Sequence, residues 1–414
     1  MNIRKTMPLV ATLLLAGMAS HAQPAPTTVE ELWEIVQRQQ AEIDELRLEL
    51  GEARAAMAAT NDRVDETEAR VEATGDYVET LAVADTGAQK TTIGGYGELH
   101  YNSTMSDAGD SKEIDFHRFV LFFGHEFTDR VRFFSEFELE HSLAGDGAPG
   151  EVELEQAYAE YALTDNTFAK TGLFLLPLGI LNETHEPTTF YGVERNDVES
   201  IILPSTWWEA GAGLNGRVGS GFSWDAALHS GLAMPTDGSS AFRVRSGRQK
   251  VAEANANDLA YTMRLKYTGI RGVEVAASYQ YQSDPSQVAG DGLDTGHLFT
   301  AHAIFQRGLF GLRALYAGWN FDGFAVEAAG ADRQDGWFVE PSLRFSDKWG
   351  IYARYEDLDA ARDQDKFTQS EFGLNYWPVP GVVLKVDYRM RDHSLPELAV
   401  RDFDSLSLGF GYNF

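Results

Sequence analysis

The final stretch of the chain reads Asp402-Phe-Asp-Ser-Leu-Ser-Leu-Gly-Phe-Gly-Tyr-Asn-Phe414. Every second side chain is large and apolar, namely Leu406, Leu408, Phe410, Tyr412 and Phe414. The residues between them are small or polar, namely Ser405, Ser407, Gly409, Gly411 and Asn413. Successive side chains of a β-strand point to opposite faces, so this alternation predicts a strand with one apolar face and one polar face.

The same alternation recurs from Thr91 to the C-terminus and predicts sixteen strands. In 381–392, for example, Val386 and Tyr388 oppose Asp387 and Arg389. Each segment has about the length that a tilted strand needs to cross a bilayer, roughly 9–11 residues. The strands are predicted near 93–103, 113–126, 130–142, 151–163, 167–177, 207–218, 222–233, 258–268, 272–283, 296–307, 309–320, 335–346, 348–358, 367–377, 381–392 and 402–414.

A soluble β-sandwich also alternates, but two features favour a transmembrane barrel. Aromatic residues such as Trp349, Tyr376 and Trp377 lie near strand ends, where the interface girdles of such barrels belong. The predicted connections alternate between short, as at Thr128-Asp129, and long, as at 178–206. Short periplasmic turns and longer outer loops are typical of outer-membrane barrels. The fold class is therefore all-β transmembrane, a 16-stranded antiparallel outer-membrane β-barrel over 91–414.

Residues 1–22 have the features of a cleaved signal peptide. Arg4 and Lys5 precede an apolar run from Leu9 to Met18, and Ser20-His21-Ala22 fits a cleavage site before Gln23. The apolar run is too short for a spanning helix, although a membrane anchor is the alternative reading. Export from the cytoplasm follows, and an aromatic-ended last strand resembles the recognition signal of outer-membrane assembly.

Residues 23–90 are predicted to form a periplasmic α-helical coiled coil followed by a linker. A heptad pattern runs through them without a slip; a lone amphipathic helix on the barrel is the alternative. We expect three strands, by analogy with pores of this size. The a positions are Val29, Val36, Ile43, Leu50, Met57, Val64, Val71 and Val78, and the d positions are Leu32, Gln39, Leu46, Ala53, Thr60, Thr67, Thr74 and Leu81.

Composition and motifs argue against several other function classes. The formal net charge of −29 makes nucleic acid an unsuitable partner, and the chain contains no cysteine for disulfides or thiolate metal sites. The ten histidines show no H-E-x-x-H spacing, and no serine lies in a G-x-S-x-G elbow. The sequence therefore predicts no enzyme activity, no cofactor and no metal site. Only His185 merits attention, and we expect it to be solvated.

From about Ile93 onward the chain resembles the phosphate-selective porin O and P family. The stretches that carry the resemblance are Ile93-Gly-Gly-Tyr-Gly-Glu-Leu-His100, Asp115-Phe-His-Arg118, Phe174-Leu-Leu-Pro-Leu-Gly179, Val193-Glu-Arg195 and Gly211-Ala-Gly-Leu-Asn-Gly216. The resemblance implies a trimeric channel whose third outer loop folds inward to narrow the pore. Here that loop is 178–206, which we call L3. The family name implies anion transport, whereas L3 is mainly acidic.

Three groups of charged residues are predicted to face the lumen. Basic residues on one wall and acids on L3 and the opposite wall would sort solutes by charge and size; mutual pairing of these charges is the alternative. The L3 residues are Glu183, His185, Glu186, Glu194, Arg195, Asp197 and Glu199. The basic wall is Arg264, Lys266, Arg344, Arg354, Lys385, Arg389 and Arg391, and the acidic wall is Glu136, Glu138 and Glu140, with Glu153 and Glu155 beside it.

These features predict an outer-membrane porin for passive diffusion of small hydrophilic solutes or ions, with anions such as phosphate as one option. The alternative is a structural tether, in which the coiled coil links the outer membrane to peptidoglycan. Expected partners are outer-membrane lipid, lipopolysaccharide, small hydrophilic solutes and two further copies of the chain. Arg243, Arg245, Arg248 and Lys250 of 242–250 are read either as an anion-gathering funnel or as a contact for lipopolysaccharide phosphates.

Overall fold

A computed structural model describes residues 90–414 apart from Asp146 and 362–365, together with Trp33, Gln37 and Gln40. Those three isolated residues are helical. The predicted signal peptide and nearly all of the predicted coiled coil lie outside the described residues and stay predictions. Within the described part of the chain, no helix is long and apolar enough to cross a membrane.

The described strands form one closed antiparallel barrel in which each strand pairs with its neighbours in sequence and β1 pairs with β16. This confirms the prediction of a 16-stranded antiparallel barrel. The strands are β1 (Thr91–Ser106), β2 (Ser111–Thr128), β3 (Val131–Glu140), β4 (Val152–Thr164), β5 (Thr167–Leu175), β6 (Trp208–Val218), β7 (Phe222–His229), β8 (Ala260–Ile270), β9 (Val273–Gln282), β10 (Thr295–Arg307), β11 (Phe310–Asp322), β12 (Arg333–Leu343), β13 (Trp349–Asp359), β14 (Lys366–Tyr376), β15 (Val382–His393) and β16 (Phe403–Asn413).

The aromatic-ended last strand closes the barrel against the first. Tyr96 lies opposite Asn413 in the β1–β16 ladder. Beyond it, the N–H of Gly95 donates to the carbonyl of Phe414 over 3.0 Å, and the N–H of Phe414 donates to the carbonyl of Gly95 over 2.9 Å. Closure leaves no unpaired edge, which is what a sheet needs in lipid because hydrocarbon offers no hydrogen-bond partners.

The two faces of the sheet are inverted relative to those of a soluble protein. On β8, Tyr261, Met263 and Leu265 point outward and are exposed, whereas Thr262 and Arg264 point inward and are buried. Pairing preserves this division, because Met263 lies opposite Ala226 and Arg264 lies opposite Asp225. An apolar outer surface around a polar interior is the arrangement of a membrane barrel.

The connections are short at one end of the barrel and long at the other. Gly308, with φ of 60°, occupies the turn between β10 and β11, a left-handed conformation that glycine adopts without a Cβ clash. At the opposite end, L3 joins β5 to β6, and the connection from β7 to β8, which we call L4, spans 230–259. The long connections mark the outer end of the barrel by the rule for outer-membrane proteins.

Candidate functional site

L3 lies inside the barrel, and its two ends are tied together at their base. The side-chain amide of Asn182 donates to the carbonyls of Leu176 over 2.7 Å and Trp207 over 2.9 Å. Its oxygen accepts the N–H of Trp207 over 2.6 Å. These three hydrogen bonds join the residue after β5 to the residue before β6. The two ends of L3 are therefore held side by side at the barrel wall.

Apolar side chains explain why L3 folds inward. Leu178, Ile180, Ile202 and Leu203 of the loop are buried. They belong to a cluster that also contains inward-facing residues of β10 to β14, namely Leu298, Leu315, Trp319, Phe338, Leu358 and Phe367. The indole N–H of Trp319 also donates to the carbonyl of Ile202 over 3.0 Å. Burial of apolar surface stabilises by roughly 25 cal/mol per Å², so the inward-folded position of L3 is favoured over a position exposed at the barrel mouth.

Glu199 holds L3 in its folded form. One carboxylate oxygen accepts the N–H groups of Ile180 and Leu181 over 2.5 and 2.7 Å, and the other accepts the Asn196 amide over 2.9 Å. Burial raises the pKa of Glu199, against these hydrogen bonds. Gly179 has φ of 68°, and a Cβ there would collide with the Glu199 carboxylate, so this position requires glycine.

On one side of the barrel, L3 contacts acidic residues of β3 and β4. His185 Nε2 lies 3.1 Å from Glu136 Oε1 and 3.6 Å from Glu155 Oε2. Its Nδ1 lies 3.2 Å from the Asn182 carbonyl, which can only accept, so Nδ1 carries a proton. Burial, with the charge of Arg195 second, lowers the pKa of His185 to about 4. The expectation of a solvated His185 was wrong, because the loop encloses it.

L3 reaches β1 through Glu194. Glu194 Oε1 lies 3.0 Å from His100 Nδ1 and accepts the Asn102 side-chain amide over 2.9 Å. Burial opposes ionisation of Glu194, but the His100 hydrogen bond and charge outweigh it and hold its pKa below the ordinary range. The ring of His100 also lies 3.3 Å from Glu98 on the same strand. The loop is thus joined to β1 by a charge-assisted contact.

On other strands, L3 contacts basic residues. Arg264 of β8 pairs with Glu183 of L3 and donates to Asp225 of β7 over 2.8 Å. Arg391 of β15 lies 2.5 Å from Asp197 of L3. Lys385 of β15 donates to the carbonyl of Gly192 over 2.7 Å. These ion pairs and hydrogen bonds attach L3 to β8 and β15.

A second charge cluster lies on β12 to β14, where Arg354 is surrounded by acids. It contacts Glu340 at 3.1 Å and Glu356 at 2.9 Å, and it also pairs with Glu371. Glu356 in turn accepts the N–H of Asp197 in L3 over 2.7 Å. A buried arginine with this many carboxylates is fully compensated. The expected segregation into a basic wall and an acidic wall is therefore incomplete, because acids are interleaved with the bases.

Arg245 and Arg248 of L4 contact L3, whereas Lys250 contacts acids at the start of β4; the two readings of 242–250 stay predictions. Arg245 donates to the carbonyls of Ser200 and Ser205, each over 3.2 Å. Arg248 donates to the carbonyls of Pro204 and Thr206, the first over 3.2 Å. Lys250 pairs with Glu151 and Glu153. The arginine contacts join L4 to L3, and the Lys250 contacts join L4 to the start of β4, so these three side chains are engaged within the protein.

The family model for Gram-negative porins matches residues 184–394, which is half of the chain. The chain belongs to the Gram-negative porin family. An uncharacterized protein of Aquifex aeolicus is 30% identical over 342 residues, covering 73% of this chain and 76% of that relative. Membership in this family makes the protein an outer-membrane channel for small solutes.

Solved porin structures share the fold at low sequence identity. The anion-selective porin from Comamonas acidovorans aligns with a TM-score of 0.57 at 11% identity, covering 78% of this chain and 99% of that one. The outer membrane channel DcaP of Acinetobacter baumannii gives 0.53 at 12% identity, covering 78% and 97%. OmpF of Salmonella typhi gives 0.52 at 15% identity, covering 78% and 98%. At these identities the likeness shows the fold alone.

All the candidate residues of the porin lie inside the barrel or at its rim, but they do not form one site. Lys266 lies 3.9 Å from Glu274 on β9. Arg344 lies at the short-turn end, where its guanidinium covers the Trp377 ring at 4.3 Å and donates to the Asp347 carbonyl. Glu140 ends β3 at the level of Arg118. The remaining candidates surround L3 as described, so L3 is the common element.

Sequence reasoning missed several interior residues of this porin. Arg118 pairs with Glu98, and its Nη2 donates to the carbonyl of His185 over 3.5 Å. Arg313 of β11 donates to the carbonyl of Thr189 over 2.7 Å. Strand parity could have identified both as inward-facing, because Arg118 opposes Glu140 and Arg313 opposes Glu340. No sequence pattern predicts that these two arginines contact L3.

Proposed function

We propose that this porin is a water-filled channel for passive diffusion of small hydrophilic solutes, narrowed by L3. One observation carries the proposal: L3 contacts Arg264 on β8 through Glu183 and His100 on β1 through Glu194. β1 and β8 lie on opposite sides of the sixteen-stranded barrel. A loop held at both sides divides the lumen and limits the size of what passes.

Unpaired polar atoms in the interior support a hydrated path. Within the described residues, buried atoms that have no protein hydrogen-bond partner include oxygens of Glu138 and Glu155 and nitrogens of Arg195 and Asn375. Buried polar groups are nearly always hydrogen-bonded, to protein or to ordered water. These atoms are therefore interior positions at which ordered water would complete the hydrogen bonding.

Single-channel recording in planar bilayers tests the proposal with the mature full-length chain. We expect stepwise current increments at neutral pH, since the interior side chains are polar and the apolar surface faces lipid. A purified, folded barrel that inserts into the bilayer and gives no current would overturn it. Insertion is checked independently by flotation of the protein with liposomes.

Paired charges favour weak ion selectivity. Arg264, Arg354 and Arg391 each have a carboxylate partner within the interior, so none of these three arginines gives the lumen a strong preference for anions. We expect the reversal potential in a tenfold gradient of potassium chloride to lie near zero. A reversal potential close to that of potassium or chloride alone would contradict this and reveal a dominant charge.

Anion passage, with phosphate as one solute, is a second candidate that rests on two arginines. The Arg195 residue is half-buried, and its Nε and Nη2 atoms lack hydrogen-bond partners, as does Nε of Arg389. Guanidinium groups with free donors bind carboxylate and phosphate oxygens. This candidate predicts that phosphate reduces chloride current and that Arg195→Gln removes the effect, whereas Arg333→Gln on the exposed surface leaves it intact. Equal inhibition in both variants would eliminate it.

A homotrimer is proposed by likeness to the OmpT outer membrane protein of Vibrio cholerae, whose trimer form aligns with a TM-score of 0.51 at 12% identity. Small outward residues on β4 to β7, including Ala159, Ala212 and Ala226, border a groove of about 620 Å³ that suits close approach of a second barrel. Ala212→Trp would fill the groove and is expected to yield monomers in detergent. Ala353→Trp on distant β13 is the control; retention of trimers in both variants would exclude this groove as the interface.

The tether role and the lipid partners remain part of the proposal. Deleting 27–85 from the mature chain should leave the current unchanged and abolish co-sedimentation with peptidoglycan if the predicted coiled coil is a tether. Co-sedimentation that is unaffected would exclude it. A barrel that binds peptidoglycan but carries no solute into liposomes would favour tethering alone. Lipopolysaccharide and other outer-membrane lipids are the expected surroundings of the exposed apolar faces.

A further inference from the structure

Asp115, His117 and His141 converge at the outer end of the β2–β3 hairpin, on the inner side of the barrel. Both ring Nδ1 atoms point at one carboxylate oxygen, Asp115 Oδ2, at 3.1 Å from His117 and 2.8 Å from His141. The three donor atoms lie within 4.8 Å of one another. The two histidines are separated by most of the hairpin in sequence, so the site arises only on folding.

Backbone geometry aims these side chains at a common point. The β1–β2 register shifts between Glu98 and His100, so that two β2 residues oppose one β1 residue beside His117. A bulge of this kind redirects a side chain. His141 has φ of 51°, an uncommon conformation for a residue with a Cβ. Its N–H donates to the carbonyl of His117 over 3.0 Å, which fixes the two histidine backbones together.

The spacing of the donors matches a tetrahedral metal centre. Zn²⁺ binds histidine nitrogen and carboxylate oxygen at about 2.0–2.2 Å, which separates neighbouring ligand atoms by about 3.3 Å. The two nitrogen–oxygen separations of 2.8 and 3.1 Å are a few tenths of an ångström shorter than this, and the two ring nitrogens lie within 4.8 Å of each other. Two imidazoles and one carboxylate suit Zn²⁺, Cu²⁺ and Ni²⁺ rather than Mg²⁺ or Ca²⁺, which prefer oxygen alone.

The site is open to solvent and surrounded by further acids. The side chains of His117 and His141 are each 33% exposed and that of Asp115 is 17% exposed. An ion can therefore enter from the lumen, and a fourth ligand position would be left for water. Glu140 directly precedes His141, and Glu113 lies two residues before Asp115. Their negative charge would draw a dication toward the site.

We propose that Asp115, His117 and His141 form a binding site for a transition-metal dication of the Zn²⁺ class within the outer half of the lumen. The ring of His100 stacks on that of His117, with centroids 4.7 Å apart, and His100 contacts Glu194 of L3. A bound ion would therefore lie one ring away from the contact that joins L3 to β1. The binding itself is independent of the proposed channel function.

Calorimetric titration of the detergent-solubilised mature chain with zinc chloride tests the proposal. We expect one Zn²⁺ per chain, unaffected by excess Mg²⁺. His117→Gln and His141→Gln should each weaken binding by about 10-fold or more, because each removes a ligand. His125→Gln is the matched control; His125 is hydrogen-bonded to Thr91 at the opposite end of the barrel, so this variant should bind Zn²⁺ like the wild type.

Two results would overturn the site. If the wild-type chain binds no Zn²⁺, the cluster is only a carboxylate that accepts two histidine hydrogen bonds. If binding persists in His117→Gln and His141→Gln but is lost in His185→Gln, the ion occupies Glu136, Glu155 and His185 instead, whose donor atoms also lie within 4.8 Å of one another. Heat-modifiable migration on gels confirms that each variant is a folded barrel.

Discussion

Asp197 of L3 and Arg391 of β15 form a 2.5 Å ion pair across 194 positions of sequence. The guanidinium of Arg391 also lies over the ring of Phe367 at 4.0 Å, and it donates to Gln369 over 2.8 Å. Each side chain of the ion pair is only 15% exposed. The pair fixes the middle of L3 to the wall, and several of the consequences of L3 for permeation depend on it.

Replacing Arg391 should loosen L3 without unfolding the barrel. Arg391→Gln leaves the partly buried Asp197 without its cation, with the Gln369 amide still donating to it over 2.9 Å, and we expect this to cost about 1.5–3 kcal/mol. L3 should then fluctuate, so single-channel recordings should show a larger and noisier conductance. Arg333→Gln breaks a surface pair with Asp335, in which Arg333 is 68% exposed, and should change neither property. Identical recordings for both variants would show that the Asp197 contact does not restrain L3.

Removing Arg354 should damage the barrel itself. Arg354→Met removes the cation that the buried Glu340, Glu356 and Glu371 share. Breaking a buried ion cluster from one side costs about 3–5 kcal/mol, so we expect a lower temperature for the folded-to-unfolded mobility shift on gels. An unchanged transition would mean that water already compensates these carboxylates.

Replacing Glu199 should loosen the fold of L3 itself. Glu199→Ala removes the acceptor for the N–H groups of Ile180 and Leu181, at about 1–3 kcal/mol for each unsatisfied donor. Glu199→Gln keeps one acceptor oxygen and should be milder. We expect protease cleavage within L3 to accelerate in the order wild type, Glu199→Gln, Glu199→Ala. Equal cleavage rates would contradict the anchoring role.

Low pH should weaken the attachment of L3 to the barrel wall by protonating His185. The pKa of His185 is lowered to about 4, from an ordinary value of about 6.5 in an unfolded chain. The unfolded chain therefore takes up this proton first as the pH falls. The stability contributed by neutral His185 is fully present above about pH 6.5 and is lost as the pH falls to about 4. We expect conductance fluctuations to increase over that window, and His185→Gln to lack this component; the same pH response in the variant would refute the assignment.

Much of the barrel could be predicted from sequence. One face of each strand meets lipid and the other meets the polar interior, so apolar and polar side chains alternate along every strand. Some strand ends differ from the predicted ones by a few residues; β7, for example, ends at His229 rather than near 233. The end of a strand is set by where pairing with its neighbours stops, which the side-chain pattern does not show. Inward-facing charges such as Arg264 and Lys385 were predictable from parity alone. The pattern did not show that Arg264 meets Glu183 or that Lys385 meets the Gly192 carbonyl.

Contacts that depend on the path of L3 or on a bulge could not be predicted. Glu199 was expected to face the lumen, yet it turns back onto its own loop backbone, because Gly179 opens a place for its carboxylate. His117 and His141 have no ligand spacing in sequence, since a register shift in one strand and a left-handed residue after another bring them together. Such local departures from regular geometry have no periodic signature.

Solute-specific swelling of liposomes containing the mature chain tests most directly whether L3 narrows a hydrated channel. We expect small neutral sugars to enter quickly and larger oligosaccharides to be excluded, and Arg391→Gln to admit larger sugars than the wild type does. If no solute of any size enters through correctly inserted barrels, or if the size limit is the same in both proteins, the account of L3 as the restriction of an open channel is wrong.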